Sequence, residues 1–193
     1  MKRLAVYCGS AMPADPAFIE AARQVGRGLA RRGIGVVYGG GRLGLMGTLA
    51  DAALEAGGEV IGVIPEALVN AEVAHRGCTQ LHIVQTMHQR KALFTDLSDG
   101  FVTLPGGGGT MDELWEAISW AQLGYHAKPV GLLNVNRFYD PLIAFYRQMV
   151  EAGFIRTAHA NILIHAEEMD ALLDGMARYQ PHQPLCSMTS SQL

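Results

Sequence analysis

Seven short apolar runs punctuate the chain, at residues 4–8, 34–38, 60–64, 81–84, 101–104, 130–133 and 162–164, and longer stretches of helical period lie between them. The first of those stretches is well punctuated. Asp15 stands as N-cap, Pro16 takes the first helical position, Phe18, Ala22, Val25 and Leu29 fall on one stripe, and Gly33 follows the end. Most apolar runs are continuous rather than alternating, as expected of strands covered by helices on both faces of a parallel sheet. The pattern predicts a single α/β domain over residues 1–179, Rossmann-like and doubly wound, with a mainly parallel sheet. After Tyr179 the period is lost through Gln180-Pro181-His182-Gln183-Pro184 and a Ser/Thr/Gln ending, so residues 180–193 read as a disordered tail.

Composition narrows the function classes. The 193 residues carry 15 Lys plus Arg against 18 Asp plus Glu, a net charge of −3, which argues against a general nucleic-acid binder. A hydrophobic content of 49% with 17% charged residues lies far from the regime of disorder. Cys8, Cys78 and Cys186 are odd in number and widely spaced, suggesting neither a disulfide framework nor a zinc site, so a reducing, cytoplasmic setting is expected. The first apolar run is too short for a secretory signal, and no run is long enough to span a membrane. The seven histidines show no ligand spacing, so no metal is assigned, and no GxSxG elbow occurs.

Two glycine loops follow strands and open helices. Gly39-Gly40-Gly41-Arg42-Leu43-Gly44 fits GxGxxG, but it follows the second strand, and the acid about 20 residues on, Glu59, begins a strand instead of ending one. A tight turn and a phosphate cradle both fit it. The second loop, Pro105-Gly106-Gly107-Gly108-Gly109-Thr110, precedes a helix expected over residues 111–123; four consecutive glycines cost too much backbone entropy to be a bare turn, which favours a close-fitting ligand. Both loops, with Cys8-Gly9-Ser10, lie where open α/β sheets bind ligands.

Two charged residues could do chemistry. Thr110 to Glu113 has the spacing of a capping box, yet the same position puts Glu113 within a turn of any ligand in the loop. In the helix expected over residues 87–97, Arg90 shares a stripe with Met87, Phe94 and Leu97, which fits either a structural ion pair or an anion contact; Lys91 points elsewhere, as a solvated charge.

With Met87-His88-Gln89-Arg90-Lys91 followed by a PGGxGTxxE motif at Pro105 to Glu113, the chain resembles the Lonely Guy family of cytokinin riboside 5′-monophosphate phosphoribohydrolases over residues 1–175. The likeness includes Gly39-Gly40-Gly41, Gly44, Met46-Gly47, Trp120 to Gly124 and Lys128 to Asn134. The resemblance implies hydrolysis of the N-glycosidic bond of a nucleoside 5′-monophosphate, AMP or a cytokinin nucleotide, without a cofactor, by a catalytic pair Arg90 and Glu113. It also implies substrate contacts from Glu72, Lys91, Gly107, Gly108, Gly109, Thr110 and Ser119, beside the loop residues Gly9, Ser10, Gly40, Gly41, Gly44, Met46, Met87, Pro105 and Gly106. Gly108 stands where the plant pattern has an aromatic, and Ser119 where it has Thr, which bears on the fit of the base. The helix after Thr110 is apolar around nearly its whole circumference, and the resemblance implies a homodimer with sites near the interface. The label of lysine decarboxylase, often given to such chains, lacks an identifiable pyridoxal-phosphate lysine. Two other classes fit parts of the sequence: a non-catalytic nucleotide carrier or sensor, and an NAD-linked oxidoreductase resting on residues 39–44 alone.

Overall fold

A computed structural model describes residues 1–185 of the chain. Seven strands, β1 (Arg3–Tyr7), β2 (Gly35–Tyr38), β3 (Val60–Pro65), β4 (Gln80–Val84), β5 (Phe101–Thr103), β6 (Val130–Leu133) and β7 (Leu163–Ala166), form one sheet in the order β4-β3-β2-β1-β5-β6-β7. Every neighbouring pair is parallel. The helices α1 (Pro16–Arg31), α2 (Gly44–Glu55), α3 (Met87–Leu97), α4 (Gly108–Leu123), α5 (Asp140–Glu151) and α6 (Met169–Ala177) cover both faces.

The continuous apolar runs are explained by two cores. Leu4, Val6, Val36 and Val102 turn to one face, against α1, α2 and α6, while Ala5, Tyr7, Val37 and Phe101 turn to the other, against α3, α4 and α5. Each face removes several large side chains from water, at about 25 cal/mol per Å² of apolar surface. The two edge strands break the pattern, β4 with Gln80 and Ile83 exposed and β7 with His165 exposed.

Expected helix starts hold in part. Asp15 Oδ1 accepts from the Ala17 amide with Pro16 at the start of α1. By contrast α4 begins at Gly108, three residues before the expected Met111, because the glycine loop itself winds into the first turn. Its N-cap is Gly107, so of the two readings that the spacing of Thr110 and Glu113 allowed, the capping box does not form. A capping box forms at α3 instead, where Thr86 Oγ1 accepts from the Gln89 amide and Gln89 Oε1 accepts from the Thr86 amide. Of the expected tail, residues up to Leu185 are described: the Leu185 amide donates to Gln122 O, and His182 Nε2 lies 2.9 Å from Ala121 O. Residues 186–193 lie outside the described residues.

Candidate active site

Chain order reverses between β1 and β5, and a crevice opens beyond their carboxyl ends. The loops after β1, β2 and β5 meet there backbone to backbone. The Gly9 amide donates to Pro105 O at 3.1 Å, and the Leu45 amide donates to Gly9 O at 3.0 Å. A Cβ on Gly44, which has φ +60°, would lie 2.4 Å from the Ser10 carbonyl, and one on Gly106 would lie 2.1 Å from Thr110 Oγ1. Those two glycines are packing requirements. Gly107, Gly108 and Gly109 are different, for nothing lies within 4 Å of where their Cβ atoms would be. No side chain caps the first-turn amides of α4, and the three glycines leave open space beside them, an arrangement suited to an anion.

The α3 cap turns Arg90 inward. Its guanidinium is buried over the Phe94 ring, 5.6 Å from the centroid, and donates through Nε to Val63 O at 3.2 Å and through Nη2 to Gly39 O at 3.0 Å. Gly39 is what admits it, since a Cβ there would lie 2.3 Å from Nη2. Two carbonyls fix the plane of the guanidinium and leave Nη1, 4.0 Å from the Met87 sulfur, as the arm without an oxygen partner. Glu72 completes the group, its Oε2 3.7 Å from Arg90 Nη2, buried and without a hydrogen bond.

Arg90, Glu72, Glu113 and Thr110 line one cavity of about 180 Å³ with Cys8 and Met46. Glu113 makes no hydrogen bond to the rest of the described chain. Burial pushes its carboxyl up to about 7, against the opposing pull of the Arg90 charge, with Asp112 adding to the rise. An acid that titrates near neutrality, facing a fixed guanidinium and open amides, can trade a proton with a bound molecule.

An apolar cleft of about 270 Å³ adjoins the cavity across Gly9, Ser10 and Gly107, with Phe18, Leu45 and Phe138 in its walls. Pro105 and Gly106 belong to that cleft. Gly41 packs beside Met46 and Glu72, whereas Gly40 is buried beneath β3 and Gly44 faces Ser10, so these two do not face the cavity. Met87 stands exposed near the Arg90 guanidinium. Ser119 is exposed on α4, away from the cavity wall.

Lys91 departs from the solvated charge expected of it. Its ammonium is largely buried and paired with Asp112 at 2.8 Å and Glu116 at 3.0 Å, so it ties α3 to α4. Cys8, expected at the ligand end of the sheet only as part of the loop after the first strand, lines the cavity, and Gly39, expected only as part of the glycine loop 39–44, holds Arg90. Glu59, the acid a dinucleotide would need for its ribose, is taken by Arg3 at 2.7 and 2.9 Å. No cluster that could hold a metal ion occurs among the described residues.

Comparison with known proteins bears on this geometry. The family model described as possible lysine decarboxylase matches residues 46–176. The probable cytokinin riboside 5′-monophosphate phosphoribohydrolase LOGL1 of Oryza sativa subsp. japonica is 45% identical over 99% of this chain and 86% of its own length. The cytokinin riboside 5′-monophosphate phosphoribohydrolase of Rhodococcoides fascians is 44% identical over 89% of this chain and 87% of its own length. Among solved structures, the molybdenum cofactor carrier protein of Chlamydomonas reinhardtii superposes with a TM-score of 0.68 at 18% identity, covering 91% of this chain and 96% of that one, a likeness of fold alone. The chain therefore belongs to the family described as possible lysine decarboxylases, among whose members its curated relatives are named cytokinin riboside 5′-monophosphate phosphoribohydrolases.

Proposed function

We propose that this protein hydrolyses the N-glycosidic bond of nucleoside 5′-monophosphates, AMP or N6-substituted adenine nucleotides, to the free base and ribose 5-phosphate. The observation that carries the reading is the Glu113 carboxyl, free of hydrogen bonds and titrating near neutrality in one cavity with Arg90 and the open amides of α4. The 5′-phosphate rests on the amides of Gly107 to Thr110, where the positive end of the helix favours it. That placement brings the ribose over Glu113, one turn along α4. As the bond between C1′ and the base nitrogen breaks, positive charge grows on the ribose, and the Glu113 carboxylate stabilises it. The same group takes a proton from the attacking water, whose oxygen joins C1′; the proton passes to the departing base. Arg90 holds the substrate from the opposite side through Nη1. Glu72, which lines the cavity beside Arg90, turns its carboxylate to a substrate hydroxyl or amine.

The decarboxylase description of the family does not fit these residues. A pyridoxal-phosphate reaction requires a lysine amine in the cavity. The chain has three lysines, Lys2, Lys91 and Lys128, and none lines it. Lys91 is held by two carboxylates, and Lys128 donates to the Thr95 carbonyl.

The active form is a homodimer in the cytoplasm, with no nucleic-acid partner. Exposed Ile83 and Met87, with the partly exposed Trp115 and Trp120 of α4, supply the apolar surface for the contact. The free thiols Cys8 and Cys78 suit a reducing compartment. No helix among the described residues is long and apolar enough to cross a membrane. Incubating the protein with AMP and with isopentenyl-AMP, then resolving base and sugar phosphate, tests the activity. Binding of either nucleotide without release of base supports a carrier or sensor and overturns the reading.

A further inference from the structure

Glu72 lies on neither a helix nor a strand; it is carried into the cavity by the segment between β3 and β4, residues 66–79. That segment is strapped across the glycine loop. The Arg42 amide donates to both Glu72 O and Val73 O, Ala74 forms an isolated antiparallel bridge with Gly41, and the His75 amide donates to Gly40 O at 2.8 Å. Immediately after Glu72 the chain passes through Val73 at φ +50°, a left-handed conformation that a β-branched residue holds only where its surroundings over-determine it. What over-determines it sits two residues further on. His75 is 3% exposed, and its Nδ1 accepts from the Gly77 amide at 3.1 Å, which leaves the ring proton on Nε2. Nε2 donates to Asp51 Oδ1, on α2, at 2.9 Å. The same carboxylate has Arg42, the residue gripping Glu72 O, 3.9 Å away.

We propose that His75, locked to Asp51, is a positioning residue: it latches the strap onto α2 and thereby holds the carboxylate of Glu72 in the cavity wall beside Arg90. Its contribution is to substrate binding rather than to bond cleavage, since Glu113 and Arg90 are carried on α4 and α3 and the hydrogen bonds of Arg90 go to Val63 O and Gly39 O, not to the strap. The inference rests on the phosphoribohydrolase reading, and turnover by the unaltered enzyme tests that reading first. Absence of base release by the wild type defeats the reading itself.

Given turnover, His75→Ala raises KM for AMP about tenfold, the scale of one buried hydrogen bond to a charged group, with kcat within about twofold. Asp51→Ala cuts the latch from the exposed side of α2, where loss of the fold is not at issue, and gives the same split. His75→Gln restores most of the lost affinity, because its amide can donate to Asp51 Oδ1 from nearly the position of Nε2. In a Glu72→Ala background, where KM is already raised, removing His75 adds less than about twofold, as coupled residues must. A melting temperature lowered by His75→Ala and by Asp51→Ala with KM unchanged overturns the proposal. So does a tenfold rise that persists in the Glu72→Ala background.

Discussion

Replacing Glu113 by Gln should strengthen the fold and abolish the chemistry. In the folded protein its carboxyl titrates near 7, and in the unfolded chain near 4.5, because burial penalises the anion more than the Arg90 charge rewards it. A raised acid holds its proton more tightly in the folded state, so the stability it confers is complete below about pH 4.5 and is lost as pH rises through 7. Above that point ionisation costs the fold up to about 3 kcal/mol, and the opening of the cavity to water brings this to about 1.5–3 kcal/mol. For a chain of this length each kcal/mol moves the melting temperature by about 2–4 °C. Thermal unfolding at pH 8.5 should therefore place Glu113→Gln about 3–12 °C above the wild type, and the gap should shrink to about a quarter of that at pH 5 and nearly vanish at pH 4. Turnover of AMP by the variant should fall by at least about 10²-fold, the ordinary contribution of a positioned acid or base. The wild type's kcat/KM should rise with pH through about 7, as the carboxylate forms. A variant no more stable than the wild type at pH 8.5 would refute the reasoning, because the carboxyl would then not be strained by its surroundings.

Two further substitutions probe the rest of the site. Arg90→Gln removes the charge that holds the Glu113 carboxyl down, so kcat/KM should fall at least about 10²-fold and the acid limb of the residual activity should move to higher pH, read from a pH–rate profile. Gly106→Ala and Gly109→Ala separate packing from binding. The first places a methyl 2.1 Å from Thr110 Oγ1 and 2.9 Å from the Gly9 amide and should lower the melting temperature; the second meets nothing within 4 Å and should leave it unchanged, raising KM for the nucleotide alone. Equal melting temperatures for the two variants would mean that the loops do not meet as described.

The architecture was legible because burial on two faces writes itself into every position of a strand: Leu4 and Val6 serve one core, Ala5 and Tyr7 the other, and no polar alternation remains to mislead. The positions of Arg90 and Glu113 were legible for a related reason, since helical spacing places Arg90 on the apolar face beside Phe94, and the glycine motif fixes Glu113 one turn into the next helix. The roles of Lys91 and Glu113 were not separable by spacing. A lysine beside an arginine reads as solvated until Asp112 and Glu116 arrive from another helix, and a Thr-x-x-Glu fits a cap until Gly108 and Gly109 wind into the turn before it. Capping by Thr110 would have tied the carboxyl of Glu113 to a backbone amide and held its pKa low. Starting the helix at Gly108 does the opposite: it frees the carboxyl from that bond, so that burial drives its pKa toward neutrality, and leaves the first amides of α4 without a side-chain cap, so the misread helix start and the chemistry have one cause.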